Sequence, residues 1–185
     1  MQNANTNSVH NNIIIFAMLA LLLAIVGTAA VLYYLGMFNN PTVTKTTVPA
    51  YRLAYLHHVG PYDDIQPVFD TLEKALQNTD TIAPCAMFLD DPSIVPESEL
   101  RSKIGFLVPW NAYLPGNVEE ENIPHREVIQ ARFKGSPIVG SFKAYKAMKQ
   151  WSADHGYTLK LPALEIYHIN GEVEYQLPAQ PAGNQ

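Results

Sequence analysis

Two stretches of this chain follow one plan, and that repeat limits the available folds more than any other feature. RLAYLHHVGPYDDIQPVFDTLEKALQN (residues 52–78) and REVIQARFKGSPIVGSFKAYKAMKQWSADHG (residues 126–156) each read as a strand, a turn at Gly60 or Gly135, and a helix. Helical spacing of Ile65, Val68, Phe69, Leu72, Ala75 and Leu76 marks the first helix; Ile138, Phe142, Tyr145, Met148 and Trp151 mark the second. Asp64 and Ser136 suit N-caps, Pro137 a first helical position and Gly156 a C-terminal stop. AMFL, the turn-rich DDPSIVPESEL and KIGFLVP follow the first helix, whereas ALEIYHI, the turn Asn170-Gly171 and EVEYQL follow the second. The expected fold is α+β: a tandem strand-helix-strand-strand repeat with pseudo-twofold symmetry and both helices on one sheet face. Repeat one covers about 50–109 and repeat two about 125–178 of a domain at 50–178.

Ahead of the repeat, residues 13–35 (IIIFAMLALLLAIVGTAAVLYYL) hold no charge, and about 20 apolar residues suffice to span a bilayer as a helix. Tyr33, Tyr34 and Phe38 cluster at the edge where amphipathic rings favour headgroups. Thr28-Ala29-Ala30 resembles a signal-peptidase site, but no Lys or Arg precedes the run and apolar residues continue beyond it. The reading is therefore a retained single-pass transmembrane helix at 13–36, after a polar tail at 1–12. PTVTKTTVP lies within a linker at 37–49, and a flexible tail occupies 179–185. Lys45 and Arg52 follow the span and none precedes it, which favours a cytoplasmic domain.

Side chains alternate faces along a strand. With Asn170-Gly171 as a two-residue loop, Glu165 opposes Gln176. Leu164, Ile166 and His168 then face the helices with Val173, Tyr175 and Leu177, and Glu165, Tyr167 and Ile169 take the helix-free face. By the repeat, Leu53, Tyr55, His57, Gln130 and Arg132 share that open face. Glu165 is thus either a solvated or Arg132-paired carboxylate or the charged floor of a groove. Tyr55, Phe88, Trp110 and Tyr167 are its candidate aromatic walls.

Other chemistries find little support. The single cysteine, Cys85, forms no internal disulfide, and a net charge of -5 without a basic cluster argues against nucleic acid as a partner. His57 and His58 point to opposite faces and cannot chelate together, so no metal is expected. Glu119-Glu120-Glu121 reads as a solvated loop. No phosphate loop, nucleophile elbow or zinc spacing occurs, and no cofactor is expected.

HHVGPYDD, FLDDPSIVPESELRSKIGF and LEIYHING, in that order, resemble GyrI-like small-molecule-binding domains. With its apolar helix, the chain further resembles the membrane-anchored branch typified by a testis-expressed ER-phagy receptor. The resemblance implies a pseudo-twofold domain whose ligands lie in a groove on the helix-free sheet face. It also implies that Glu165, the Glu of LEIY, engages small cationic or amphipathic ligands. No helix-turn-helix precedes the repeat, and the end PAQPAGNQ lacks an acidic tail with an aromatic-x-x-aliphatic motif. Neither transcriptional nor autophagic roles therefore carry over. Three functions stand: an anchored ligand-binding module, which is favoured; a hydrolase of small electrophiles with Glu165 as catalytic base; and a protein-interaction adaptor.

Overall fold

The computed structural model of the chain describes residues 3–183, with side chains from residue 12, in two units. The first carries α1 (Asn3–Tyr34), whose stretch Asn12–Tyr34 is long and apolar enough to cross a membrane. The residues expected to form a polar tail are helical from Asn3, and residues 1–2 lie outside the described residues.

The second unit begins with β1 (Thr42–Val48) and β2 (Tyr51–Val59), then α2 (Gln66–Ala75), β3 (Ala83–Phe88), β4 (Arg101–Val108) and β5 (Glu119–Ile123). It continues with β6 (Arg126–Lys134), α3 (Pro137–Asp154), β7 (Tyr157–Leu159), β8 (Ala163–Tyr167) and β9 (Glu172–Pro181). The antiparallel sheet runs β1-β6-β9-β8-β3-β4-β2-β5, with β7 paired to β9 off this path. The repeat is realised as β2-α2-β3-β4 and β6-α3-β8-β9, joined by pairing of the two inner strands, β3 and β8.

Three expected loops are strands. The linker supplies β1, whose Thr- and Val-rich run completes its hydrogen bonds against β6. The tail continues β9 to Pro181, with residues 184–185 outside the described residues. The glutamate run forms edge strand β5, where Glu119 meets His57 at 3.3 Å, Glu121 meets Lys103 at 2.7 Å, and Glu120 pairs with Arg52.

The β8–β9 turn changes the face of every side chain on β8. His168 N donates to the Glu172 carbonyl (2.9 Å), Gly171 N donates to the His168 carbonyl (3.0 Å), and Gly171 has φ 78°. This is a three-residue loop ending in a left-handed glycine, and not the expected two-residue loop. Glu165 consequently opposes Tyr175, and Ile166 opposes Glu174. A one-residue slip exchanges the faces of a strand. Glu165 and Tyr167 therefore lie on the helix-bearing face with Val173 and Tyr175, whereas Leu164 and Ile166 turn away from the helices.

The helix-free face is no open groove. Gln176 Nε2 donates to Tyr51 Oη at 3.1 Å although β8, β3 and β4 separate their strands. The sheet is curled enough for β9 and β2 to meet across this face. Leu53, Cys85 and Leu164 fill the concavity and are fully buried without any helix over them. Burying each leucine contributes roughly 1.5–3 kcal/mol.

On the opposite face, Leu72 of α2 and Leu76 just beyond its end pack on Ala54, Phe106 and Val108. Ala144 and Met148 of α3 pack on Ile129, Ala131, Phe133 and Tyr175. Gly140 permits the close approach of α3: a Cβ there would stand 2.3 Å from Tyr175 Oη. Ile138 and Phe142, expected in the packed stripe, are instead 80% and 77% exposed.

Candidate functional site

α2 and the start of α3 diverge over the central β3–β8 pair and leave a cleft of about 690 Å³. Ile65, Gln66, Phe69 and Glu73 form one wall; Ser136, Pro137, Ile138 and Ser141 form the other. The floor is Pro84, Phe88, Phe106, Glu165 and Tyr167, and Tyr62 and Asp63 stand at one end. Phe69 meets both Phe106 and Tyr167 edge-on at 6.0 Å, and Tyr62 tilts on Phe88 at 4.5 Å. The aromatic surface thus continues from helix to sheet.

Glu165 is only 3% exposed and holds two phenols. Tyr145 Oη of α3 donates to Oε1 at 2.8 Å, and Tyr167 Oη donates to Oε2 at 3.1 Å. Burial pushes the Glu165 carboxyl up from 4.5 to about 7, against the opposite pull of the hydrogen bonds from Tyr145 and Tyr167. The Tyr145 and Tyr167 hydroxyls are pushed well above 10, first by burial and then by the neighbouring carboxylate. Both phenols therefore stay protonated donors at neutral pH. Arg132 takes no part: it pairs with Glu174 at 3.4 Å on the other face. Among the described residues, the cleft is lined by three carboxylates (Asp63, Glu73 and Glu165) and by no lysine or arginine.

The structure brings Glu165, Tyr167 and Phe88 together in this cleft. It places Tyr55 on the concave face, where its hydroxyl donates to Glu119 at 3.2 Å under Lys103. Trp110 lies in the loop after β4, which Arg52 fixes by donating to the Trp110 and Ala112 carbonyls (3.1 and 2.8 Å), and its ring is exposed. Sequence reasoning missed Tyr145, Phe69 and Phe106. Tyr145 had a usable signal: a tyrosine inside a packed helical stripe needs a hydrogen-bond partner, and Glu165 is the buried carboxylate available.

Behind the Tyr62–Phe88 wall the DDP segment is pinned. Asp90 accepts from Arg101 Nη2 (2.7 Å), Nε (2.9 Å) and backbone N (2.8 Å). Tyr62 Oη accepts from Asp90 N (3.1 Å), and its single proton is shared between the facing carbonyls of Asp90 and Arg101, both at 3.0 Å.

The GyrI-like small molecule binding domain profile matches residues 41–180. The chain belongs to that family. The EcmrR C-terminal domain shares the fold at TM-score 0.59 and 20% identity, over 76% of this chain and 98% of that one. A hydrolase from Listeria innocua superposes at TM-score 0.55 with 13% identity, over 78% of this chain and 95% of its own. SAV2435 bound to tetraphenylphosphonium does so at TM-score 0.52 with 10% identity, over 75% and 94%. No curated protein matches the sequence.

Proposed function

We propose that this GyrI-like domain binds a small lipophilic cation in the cleft between α2 and α3, and that α1 anchors it in a membrane with the domain on the cytoplasmic side. The observation that carries this reading is a buried carboxylate at the floor of an aromatic cleft that offers no basic side chain. Its volume lies within the 300–1,000 Å³ usual for small-molecule sites. Cations are attracted both to aromatic faces and to Glu165. The likeness to a tetraphenylphosphonium complex supports the same ligand class. Lys45 and Arg52, after the apolar span, support the side.

Calorimetric titration of the detergent-solubilised chain with tetraphenylphosphonium tests the site. Glu165→Gln removes the charge and keeps the shape, so affinity should fall about tenfold to a hundredfold at pH 8. Because the cation selects the ionised carboxylate, wild-type affinity should drop roughly tenfold between pH 8 and pH 6, and the variant should lose that dependence. Equal affinities for the two proteins would remove Glu165 from the site.

A second reading, hydrolysis of a small electrophile, is favoured by one feature. A carboxyl near pKa 7 between two phenolic donors has the poise of a general base. Turnover of an epoxide probe, abolished by Glu165→Gln, would distinguish it from binding alone.

A further inference from the structure

The second unit exposes its large apolar side chains mainly at one end. Ile82, Trp110, Tyr113, Ile138, Phe142 and Ile169 are each more than half exposed. Ile82 precedes β3, Trp110 and Tyr113 follow β4, Ile138 and Phe142 open α3 after β6, and Ile169 tips the β8–β9 turn. Antiparallel pairing gathers these positions: Ala83 opposes Leu107, Cys85 opposes Ile166, and Lys134 opposes Glu172. Gly135 N donates to the Gly171 carbonyl at 3.1 Å and ties the α3 start to the β8–β9 turn. Among the described residues, the other end exposes Val59, Ile94 and, less fully, Leu161.

The chain enters the domain at this same end. Asn39 Nδ2 donates to the Lys134 carbonyl (2.6 Å), Lys143 Nζ donates to the Asn39 carbonyl (2.8 Å), and Thr42 opposes Arg132. Residues 35–38 alone separate Asn39 from Tyr34, the last residue of the apolar span. Covalent geometry limits that separation to about 18 Å.

We propose that this end of the domain docks on the bilayer surface, with Ile138, Phe142 and Ile169 entering the headgroup region and Trp110 and Tyr113 at its boundary. The inference rests on reading α1 as a membrane anchor. The short tether makes the bilayer the apolar surface always within reach. The exposed groups sit on three separate loops and one helix end, which suits a deformable lipid surface better than a protein groove. Indole and phenol rings favour the interface, and aliphatic groups favour the layer just below. Ile138 also lines the cleft, so docking sets one edge of the ligand site beside the lipid.

The test uses the full chain in phosphatidylcholine vesicles, with a fluorophore at Ile169→Cys or, at the far end, at Ile94→Cys. The native Cys85 is buried and stays unlabelled. Lipids brominated along the acyl chain should quench the probe at 169 at least about twofold and leave the probe at 94 unchanged. Adding Ile138→Ser and Phe142→Ser should relieve the quenching at 169. Vesicle flotation with equal quenching at both positions would overturn the docking and leave the anchor standing. Failure of the protein to float with the vesicles would overturn the anchor and the docking together.

Discussion

The two repeats are alike in backbone and unlike in equipment. Matching Gly60 to Gly135 and carrying the strand registers through the sheet sets Ala86 on Glu165, Phe88 on Tyr167, and Ile104 on Tyr175. Ala86 and Glu165 also pair directly, so the pseudo-twofold axis passes between them. The second repeat adds a carboxyl and α3, an 18-residue helix against the 10 residues of α2. Symmetry builds the cleft between two diverging helices, and the second repeat alone supplies its buried carboxylate, Glu165. A cleft at a pseudo-symmetry axis can thus be asymmetric at the cost of very few residues.

The largest expected difference between the repeats is in packing. Phe133, fully buried under α3, corresponds to half-buried His58. Phe133→Ala should lower unfolding free energy by about 3–5 kcal/mol in urea denaturation, and His58→Ala by no more than about 1 kcal/mol. Similar losses would show that the two helices do not load the sheet unequally.

Proton linkage should separate the repeats next, with opposite signs. Glu165 has a raised pKa, so its stabilising contribution is full below about 4.5 and is lost as pH rises through about 7. The slope cannot exceed about 1.4 kcal/mol per pH unit for one proton. Arg101 holds the Asp90 carboxyl below 3.8, so its contribution is present above that value and lost as pH falls. Urea midpoints across pH should therefore lose their neutral-range decline in Glu165→Gln and part of their acid-side decline in Asp90→Asn. An unchanged neutral-range decline in Glu165→Gln would mean that another group titrates there.

The smallest effect belongs to Glu73, an exposed carboxylate on the α2 wall. Glu73→Gln should weaken tetraphenylphosphonium by less than about fivefold, since exposed charge pairs contribute about 0–1 kcal/mol. A loss as large as that of Glu165→Gln would make the cleft's charge symmetric after all.

Much of this was legible in the sequence, and the failures have local causes. Helical spacing at Leu72, Leu76 and Met148 marked true packing positions, and the glycine turns marked the repeat. Asn170-Gly171 suits a two-residue loop, but Gly171 can also close a three-residue one, and the strand residues alone do not decide between them. That single residue moved Glu165 from one side of the sheet to the other. β1 was hidden because its partner, β6, lies about eighty to ninety residues away in the chain. Tyr167 could be placed beside Glu165 from strand alternation, whereas Tyr145 reaches it only through the docking of α3.

The Asp90–Arg101 clamp has a consequence for how such domains diversify. The DDP…R stretch gave the chain its most distinctive resemblance, yet the Asp90 and Arg101 side chains bond to each other, their backbone groups bond to Tyr62, and the Glu165 carboxylate bonds to Tyr145 and Tyr167 instead. The stretch acts as a bracket that keeps the Tyr62–Phe88 partition upright between the cleft and a second cavity of about 720 Å³ on its far side. Asp90, Asp91 and Pro92 of the most recognisable motif thus line the second cavity and not the Glu165 cleft. Phe69, Phe106 and Tyr167 line the cleft and can be substituted without touching the Asp90–Arg101 bracket.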